Sequence, residues 1–326
     1  MIFILTDSYD IHADLVIKNL VDSSIDYFRF NLDTSALKNS KISFKNGVWH
    51  IQQNSHLITS NDIDVVWARR GFVELTLEEL NDNSTGFQIW KNEWNKTLNG
   101  FYSTLKNKKW LNKLDKAYKG ENKYLQMEIA EHVGFNLPPI LISNEKNELL
   151  SFVEKHETVV FKMMAQDFYQ SDKGIYEGLY VNIINSMDII EKFNTVGENP
   201  IVLQKYIPKS FEVRYTVVGC EHFVCKIDSQ KSNKANVDWR RYDIPNTPHI
   251  PINPPKEIKD KVNQLLSIFD LNYGALDFIV TPNNEWYFLE INCFGQWLWI
   301  EDLTGLEISK EISKWLITNV KEVNRT

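Results

Sequence analysis

Several things are scarce in this chain of 326 residues, and each scarcity removes a class of function. Only three cysteines occur, Cys220, Cys225 and Cys293, and their spacing fits neither a zinc site nor a disulfide framework. No run approaches the roughly 18 apolar residues that a membrane span requires. Positive charge is in deficit: 36 lysines and arginines stand against 43 acids, a net charge of −7, so a general nucleic-acid or anionic-membrane binder is not expected. Glycine-rich phosphate loops of the Walker A kind are missing, as is any Ser/His/Asp set for hydrolysis; the seven histidines are scattered in mostly polar contexts and read as structural or surface residues. The opening residues MIFILTDSYDIHADL lack a basic n-region and read as a strand entering a helix, not a signal peptide. With few cysteines, that implies a reducing, cytoplasmic setting. In contrast, tryptophan is plentiful, with ten in the chain.

The patterning is α/β throughout. Residues 1–70 alternate strand and helix signals: Ile2 to Leu5, a helix carrying Leu15, Val16, Leu20 and Val21, and strands over Tyr27 to Leu32 and Ile63 to Ala68. Asn46-Gly47 marks a hairpin turn within 43–58. Spacings of three and four among Phe87, Trp90, Trp94 and Leu98 predict a helix over 85–112. A second unit begins near Asp115, with an amphipathic helix from Asn122 to Val133 closed by Gly134, then strands at 139–142, 158–163 and 201–207. Between them, 167–182 is punctuated by glycine and reads as a flexible hairpin. The third unit carries strands at 211–218 and 222–228, a polar loop at 229–237, a helix at 256–269, a hairpin at 274–292 and a last helix at 307–320. These give domains at 1–114, 115–207 and 208–326.

The chemistry concentrates in the last hairpin, GALDFIVT-PNNE-WYFLEIN. Pairing Thr281 with Trp286 and counting outwards sets Phe278 opposite Leu289 and Asp277 opposite Glu290. Alternation then puts Asp277, Glu290 and Asn292 on one face, and Leu276, Phe278, Leu289 and Ile291 in the core. Two carboxylates facing each other at a Cβ separation of ~5 Å are destabilising unless neutralised. A shared proton, a divalent cation or an exposed, solvated sheet face would each account for them. Two carboxylates and an amide oxygen form a hard donor set that suits Mg²⁺.

Here a resemblance becomes specific. Asp277, twelve residues, Glu290, one residue, Asn292 on a terminal hairpin is similar to the metal site of ATP-grasp ligases, and EIN-x-x-GQWLWIE resembles the microviridin-type graspetide macrocyclases, which mature ribosomal peptides. In that group proline often follows the asparagine; Cys293 stands there in this chain, a departure expected to alter only the local turn. The resemblance implies an ATP-grasp fold of mixed α/β and α+β type, a pre-ATP-grasp domain followed by two α+β lobes that clasp ATP.

The same resemblance assigns further residues in order along the chain. Lys123, opening its helix, and Lys162, closing a strand, resemble the pair that holds the nucleotide phosphates, although each alone would pass as a surface lysine. Gln204, Lys205, Tyr206 and Ile207 resemble the hinge that reads adenine. Glu212 and Arg214, two apart on a strand, would alone be an exposed ion pair. By resemblance Arg214 grips an acidic side chain or acyl phosphate, and Glu212 orients or deprotonates the nucleophile. The glutamate, where many ester-forming relatives have aspartate, leaves ester and amide products both open. Asp238-Trp239-Arg240-Arg241 resembles a segment that offers Arg240, and with it Arg241, to the phosphates. Trp67-Ala68-Arg69-Arg70 gives Arg69 and Arg70 to substrate or to contacts between lobes.

The implied function is ATP- and Mg²⁺-dependent macrocyclisation of a precursor peptide with a leader and a Thr/Glu/Asp-rich core, with no nucleic-acid or membrane partner and, by family analogy, as a homodimer. Two other readings stand beside it: an ATP-grasp ligase that joins amino acids or adds glutamate, and a non-catalytic nucleotide- or peptide-binding module.

Overall fold

The computed structural model describes all residues except 157, 163, 165–167, 171–175, 179–181, 197–198, 232–243 and 321–326, and the backbone alone at 168–170, 176–178, 192–196 and 244. Burial on both sides decides the first sheet. Strand β1 (Ile2–Thr6) is followed by helix α1 (Ile11–Asp22), β2 (Tyr27–Asn31), α2 (Thr34–Lys38), the strands β3 (Lys41–Lys45), β4 (Val48–Gln53) and β5 (His56–Thr59), then β6 (Val65–Ala68), α3 (Leu77–Leu80), α4 (Thr85–Thr104) and β7 (Lys109–Leu111). Strands β2-β1-β6-β7 form a parallel sheet in that order. Ile2 and Ile4 point into one core and Phe3 and Leu5 into another, so β1 has no polar face. The turn between β3 and β4 uses the expected dipeptide, with Asn46 and Gly47 at φ of 51° and 81°. Helix α4 stops at Thr104, short of the expected 112, because Lys109–Leu111 is needed as the fourth parallel strand. Its Trp110 is buried with Tyr102.

Helices α5 (Leu114–Gly120) and α6 (Lys123–His132) lead out of this unit; the Asn122 side chain caps α6 by accepting from the N–H groups of Tyr124 and Leu125. Then come β8 (Ile140–Ser143), α7 (Lys146–Lys155), β9 (Val159–Lys162), β10 (Phe168–Gln170), β11 (Tyr176–Gly178), β12 (Asn182–Ile184), α8 (Ser186–Val196) and β13 (Ile201–Lys205). Strands β10 and β11 pair antiparallel, as expected of a hairpin in 167–182; their connection lies outside the described residues. Helices α7 and α8 were not legible in the sequence. They cover one face of the sheet β12-β9-β13-β8, burying Leu149, Val153 and Ile189 against Val159, Ile201 and Leu203.

The last sheet runs β16-β15-β14-β17-β18 and is antiparallel. It is built from β14 (Phe211–Val218), β15 (Glu221–Ile227), β16 (His249–Pro251), β17 (Tyr273–Val280) and β18 (Trp286–Asn292), with α9 (Lys256–Phe269) before β17 and α10 (Leu298–Thr304) and α11 (Ile308–Thr318) at the end. One face packs on α5, α6 and α9 through Val213, Tyr215, Leu276, Phe278, Val262 and Leu265. Each large side chain buried there stabilises by roughly 1.5–3 kcal/mol. At the far end, α11 joins α1 and β1 in one cluster, so Ile2, Ile4, Val16 and Leu20 share a core with Ile308, Ile312 and Leu316.

The observed hairpin register differs from the counted one. Val280 pairs with Trp286, Ile279 with Tyr287 and Phe278 with Phe288; a bulge follows, and Asp277 then meets Glu290. Leu289 is the extra residue. It is only half-buried, and Phe288, 1% exposed, takes the core position expected of Leu289. Counting from the turn reached Asp277–Glu290 through a register one residue out, which the bulge compensates.

Candidate active site

The face of the large sheet opposite α9 carries the charged residues. Glu212 and Arg214 follow each other on that face of β14, and Arg214 sits directly opposite Asp277 on β17, which sits opposite Glu290 on β18. The chain has thus lined up cation, anion and anion across three strands, and a fourth group completes the balance. Arg214 Nη1 donates to both Asp277 oxygens at 3.1 Å, while Lys123 Nζ, from the first turn of α6, reaches Glu290 Oε2 at 2.6 Å. Asn292 Nδ2 lies 3.4 Å from Asp277 Oδ2 and 3.5 Å from Glu290 Oε1, between the two carboxylates. The repulsion that alternation implies is therefore met by one fixed cation per acid.

Arg214 is held on several sides. Its Nη2 donates to the carbonyl of Gln296 at 3.1 Å, and its Nε is buried without a partner among the described residues. Burial, the largest single effect, opposes its charge, but Asp277, Tyr273 and Glu290 together outweigh it, so the guanidinium is held above its ordinary range. Gly295 is required beside it: a Cβ there would lie 2.6 Å from Ala275 Cβ and 2.9 Å from Arg214 Nη2. Glu212 is buried, and accepts from Lys209 Nζ at 2.7 Å and Ser229 Oγ at 2.8 Å. Lys209 and Ser229 were missed in the sequence, where nothing marks either as a partner of Glu212.

Two buried amides fix the backbone around these groups. Gln126 on α6 donates to the carbonyls of Gly120 and Ile291 and accepts from the Ile291 N–H at 3.0 Å, clamping the residue between Glu290 and Asn292. Asn112 accepts from the N–H groups of Asn272 and Tyr273 and donates to the Tyr273 carbonyl at 2.8 Å. Gln126 had a sequence signal, a polar residue on the apolar stripe of Ile129 and Ala130; Asn112 had none. Cys293 does more than shape its turn: its N–H donates to the Glu121 carboxylate, a bond that proline would forgo.

Gln204, Lys205 and Lys162 lie on the smaller sheet, β12-β9-β13-β8, and Tyr206 and Ile207 follow its strand β13. Gln204 pairs with Ile140 and Val160, and Val202 pairs with Ile142 and Lys162, so these six share the face turned away from α7 and α8. Lys205 and Tyr206 donate their N–H groups to the carbonyls of Pro139 and Thr158. A cavity of about 310 Å³ lies where this sheet meets the hairpin, with Gln204 and Ile140 on one side and Phe288 and the bulged Leu289 on the other.

Arg69 and Arg70 have separate roles. Arg69 is 3% exposed, with Nε 3.2 Å from Asp10, Nη1 donating to the Phe294 carbonyl at 3.0 Å, and its guanidinium 4.8 Å over the Trp297 ring. It joins the first unit to the GQWLWIE segment. Arg70 is half-buried beside Asp7 and Glu74, at the C-terminal ends of β1 and β6 where the strand order reverses. Arg240 and Arg241 lie outside the described residues. Among the described residues no three His, Cys, Asp or Glu side chains gather as a metal cluster. The two carboxylates and the Asn292 amide form a smaller set, and its all-oxygen chemistry on one rigid face fits Mg²⁺.

Comparison with known proteins follows the same lines. Residues 1–118 match the family model described as the MvdD pre-ATP grasp domain. The chain is similar to a RiPP-associated ATP-grasp ligase of Chryseobacterium gregarium, solved with ADP and a leader and core peptide: 30% identity, 98% of this chain and 97% of that one covered, TM-score 0.87. The macrocyclase MdnC of Microcystis aeruginosa MRC, bound with its precursor peptide MdnA, is 27% identical over 98% of this chain and 100% of its own, at TM-score 0.85. MdnB from the same organism is 27% identical over 97% and 98%, at TM-score 0.79. A search of curated proteins finds no match.

Proposed function

The chain belongs to the RiPP-associated ATP-grasp ligases, and from that premise we propose that it closes macrocycles in a ribosomally made precursor peptide, using ATP and Mg²⁺. The observation that carries this reading is the row Arg214–Asp277–Glu290–Lys123, with Asn292 between the acids. Asp277, Glu290 and Asn292 would hold Mg²⁺, which supplies charge neutralisation at the phosphate oxygens. In this reading Lys123, Lys162 and Arg240 bind phosphate, and Gln204 to Ile207 receive the adenine.

A side-chain carboxylate of the peptide attacks the γ-phosphorus, ADP departs, and an acyl phosphate forms. A threonine or serine hydroxyl, or a lysine amine, then attacks the acyl carbon, gives up its proton and expels phosphate. Arg214 stabilises the charge that builds on the acyl phosphate. Glu212, held by Lys209 and Ser229, faces the same site and is the proton acceptor. Arg70, with Arg241, contacts the peptide. Ester and amide products share these steps.

The division into 1–114, 115–207 and 208–326, a Thr/Glu/Asp-rich core, pairing of two copies and a cytoplasmic setting belong to the same reading. Among the described residues no helix is long and apolar enough to cross a membrane. Incubation with ATP, Mg²⁺ and the cognate precursor tests it. The expected result is a peptide lighter by one water per ring, with one ADP released for each. Turnover of free amino acids alone, or nucleotide binding with no phosphate release, would sink it.

A further inference from the structure

Strand β18 ends in a tight turn. Cys293 and Phe294 are its two central residues, and it closes where the Gly295 N–H donates to the Asn292 carbonyl at 3.2 Å. The N–H groups of the two central residues have no acceptor within such a turn. Cys293 is 3% exposed, so its N–H cannot turn to water, and a buried donor left without an acceptor is costly.

Glu121, the residue that follows α5, supplies the acceptor. Its carboxylate takes the Cys293 N–H, and the Phe294 N–H and the Cys293 thiol donate to the same group. Helix α5 comes this close because its last residue is Gly120: a Cβ there would lie 2.6 Å from Cys293 Sγ and 3.3 Å from Leu271. The start of α6 then continues the grip. Lys123 meets Glu290 and Gln126 meets the Ile291 backbone, so the α5–α6 junction holds the chain on both sides of Asn292.

The carbonyl side of the turn is held as well. Phe294, Gly295 and Gln296 accept from Arg69 Nη1 at 3.0 Å, Tyr273 Oη at 2.7 Å and Arg214 Nη2 at 3.1 Å. Two groups of the site therefore depend on this turn: Asn292 at its start, and the Gln296 carbonyl that supports Arg214 just past its end. A tilt of the turn moves both. Proline, frequent after the asparagine in the group this segment resembles, would lock φ through its ring and has no N–H to give. Cys293 leaves that dihedral free, and the bond to Glu121 fixes by hydrogen bonding what a ring would fix covalently.

We infer that Glu121 is a positioning residue of the ligase site: by holding the N–H side of this turn, it fixes the directions in which Asn292 presents its amide oxygen to Mg²⁺ and Gln296 its carbonyl to Arg214. Groups that orient a metal ligand in this way commonly matter tenfold or more to metal affinity. The inference rests on the reading of Asp277, Glu290 and Asn292 as the metal ligands, and the experiment separates the two.

Calorimetric titration of the full chain with ADP, once in Mg²⁺ and once in EDTA, measures how much the metal adds to binding. Glu121→Gln keeps the side-chain length but sets an NH₂ group where an oxygen accepted. It should lower the Mg²⁺-dependent gain by about tenfold and leave ADP affinity in EDTA unchanged. In a Cys293→Pro background, where the ring holds the turn and the N–H is gone, the same substitution should cost about threefold or less, the mark of two residues acting through one contact. Should Glu121→Gln fold poorly by circular dichroism, Glu121→Asp keeps the charge, withdraws it by one methylene, and should lower the gain by about threefold. A gain in Mg²⁺ that survives these substitutions intact overturns the inference, as does an equal cost of Glu121→Gln in both backgrounds. If the native chain binds ADP no better in Mg²⁺ than in EDTA, the metal-ligand reading fails and the inference falls with it.

Discussion

Single residues show where local chemistry sets the site. Gly295 is there because the Arg214 guanidinium and Ala275 leave no room for a Cβ. Gly295→Ala should cost roughly 1–3 kcal/mol in overpacking and should lower kcat by shifting Arg214, readable as a lower urea midpoint together with slower ADP release. His12 belongs to the junction between units: its ring centroid is 4.5 Å from that of Trp297, and its Nδ1 is buried without a partner among the described residues. Burial, followed by the charge of Arg69, lowers its pKa from 6.5 to about 4. The folded state therefore favours neutral imidazole, and stability present above pH 6.5 is lost as pH falls toward 4. The drop should reach roughly 3 kcal/mol, and His12→Gln should flatten urea midpoints measured across that window. In sequence His12 was one scattered histidine among several, since its neighbours Arg69 and Trp297 are brought to it only by the fold. The site acids were legible because strand alternation puts them on one face. Their cations, Lys123 and Arg214, could be named from motif order, but the contacts that pair each with its acid required the tertiary structure.

At the level of elements, the sequence was most informative where a local rule acts alone. The turn at Asn46-Gly47, the cap at Asn122 and the helix α9 are of this kind. It was least informative where a long-range partner decides. Strand β7 has three residues and exists because β6 offers it an edge, so the helical spacing of α4 ran on through it. The bulge is the sharpest case. Trp286 and Phe288 are core residues while Glu290 and Asn292 face the site, although all four share one parity along the strand. Only an extra residue between them allows this. Deleting Leu289 should leave both faces correctly filled and the Asp277–Glu290 pair intact, but should take one wall from the cavity at Gln204. The expected outcome is a folded protein, by circular dichroism, with weaker Mg·ADP binding by calorimetry; an unfolded product would show that the bulge also holds the sheet together.

For the whole molecule, the net charge of −7 excluded a basic surface but averaged over the wrong scale. The site needs a few cations gathered from separate segments, and two of the acids that make the chain negative are themselves its proposed metal ligands. Domain order along the chain is also not the order of packing. The smaller sheet has a core of its own, whereas the first and last units share one through β1, α1 and α11. Hydrogen exchange should accordingly find β9 and β13 opening at their own, lower free energy, and β1 and β14 protected together. Protection of β1 that outlasts that of β14 would contradict a common core. The shared core also bears on the unit at residues 1–118, which a family model describes separately. Cut away from the rest, that fragment would expose the Ile2, Ile4, Val65 and Trp67 face of its sheet, together with the inner side of α1. It would behave as an aggregating half of a folded body, not as a free-standing domain.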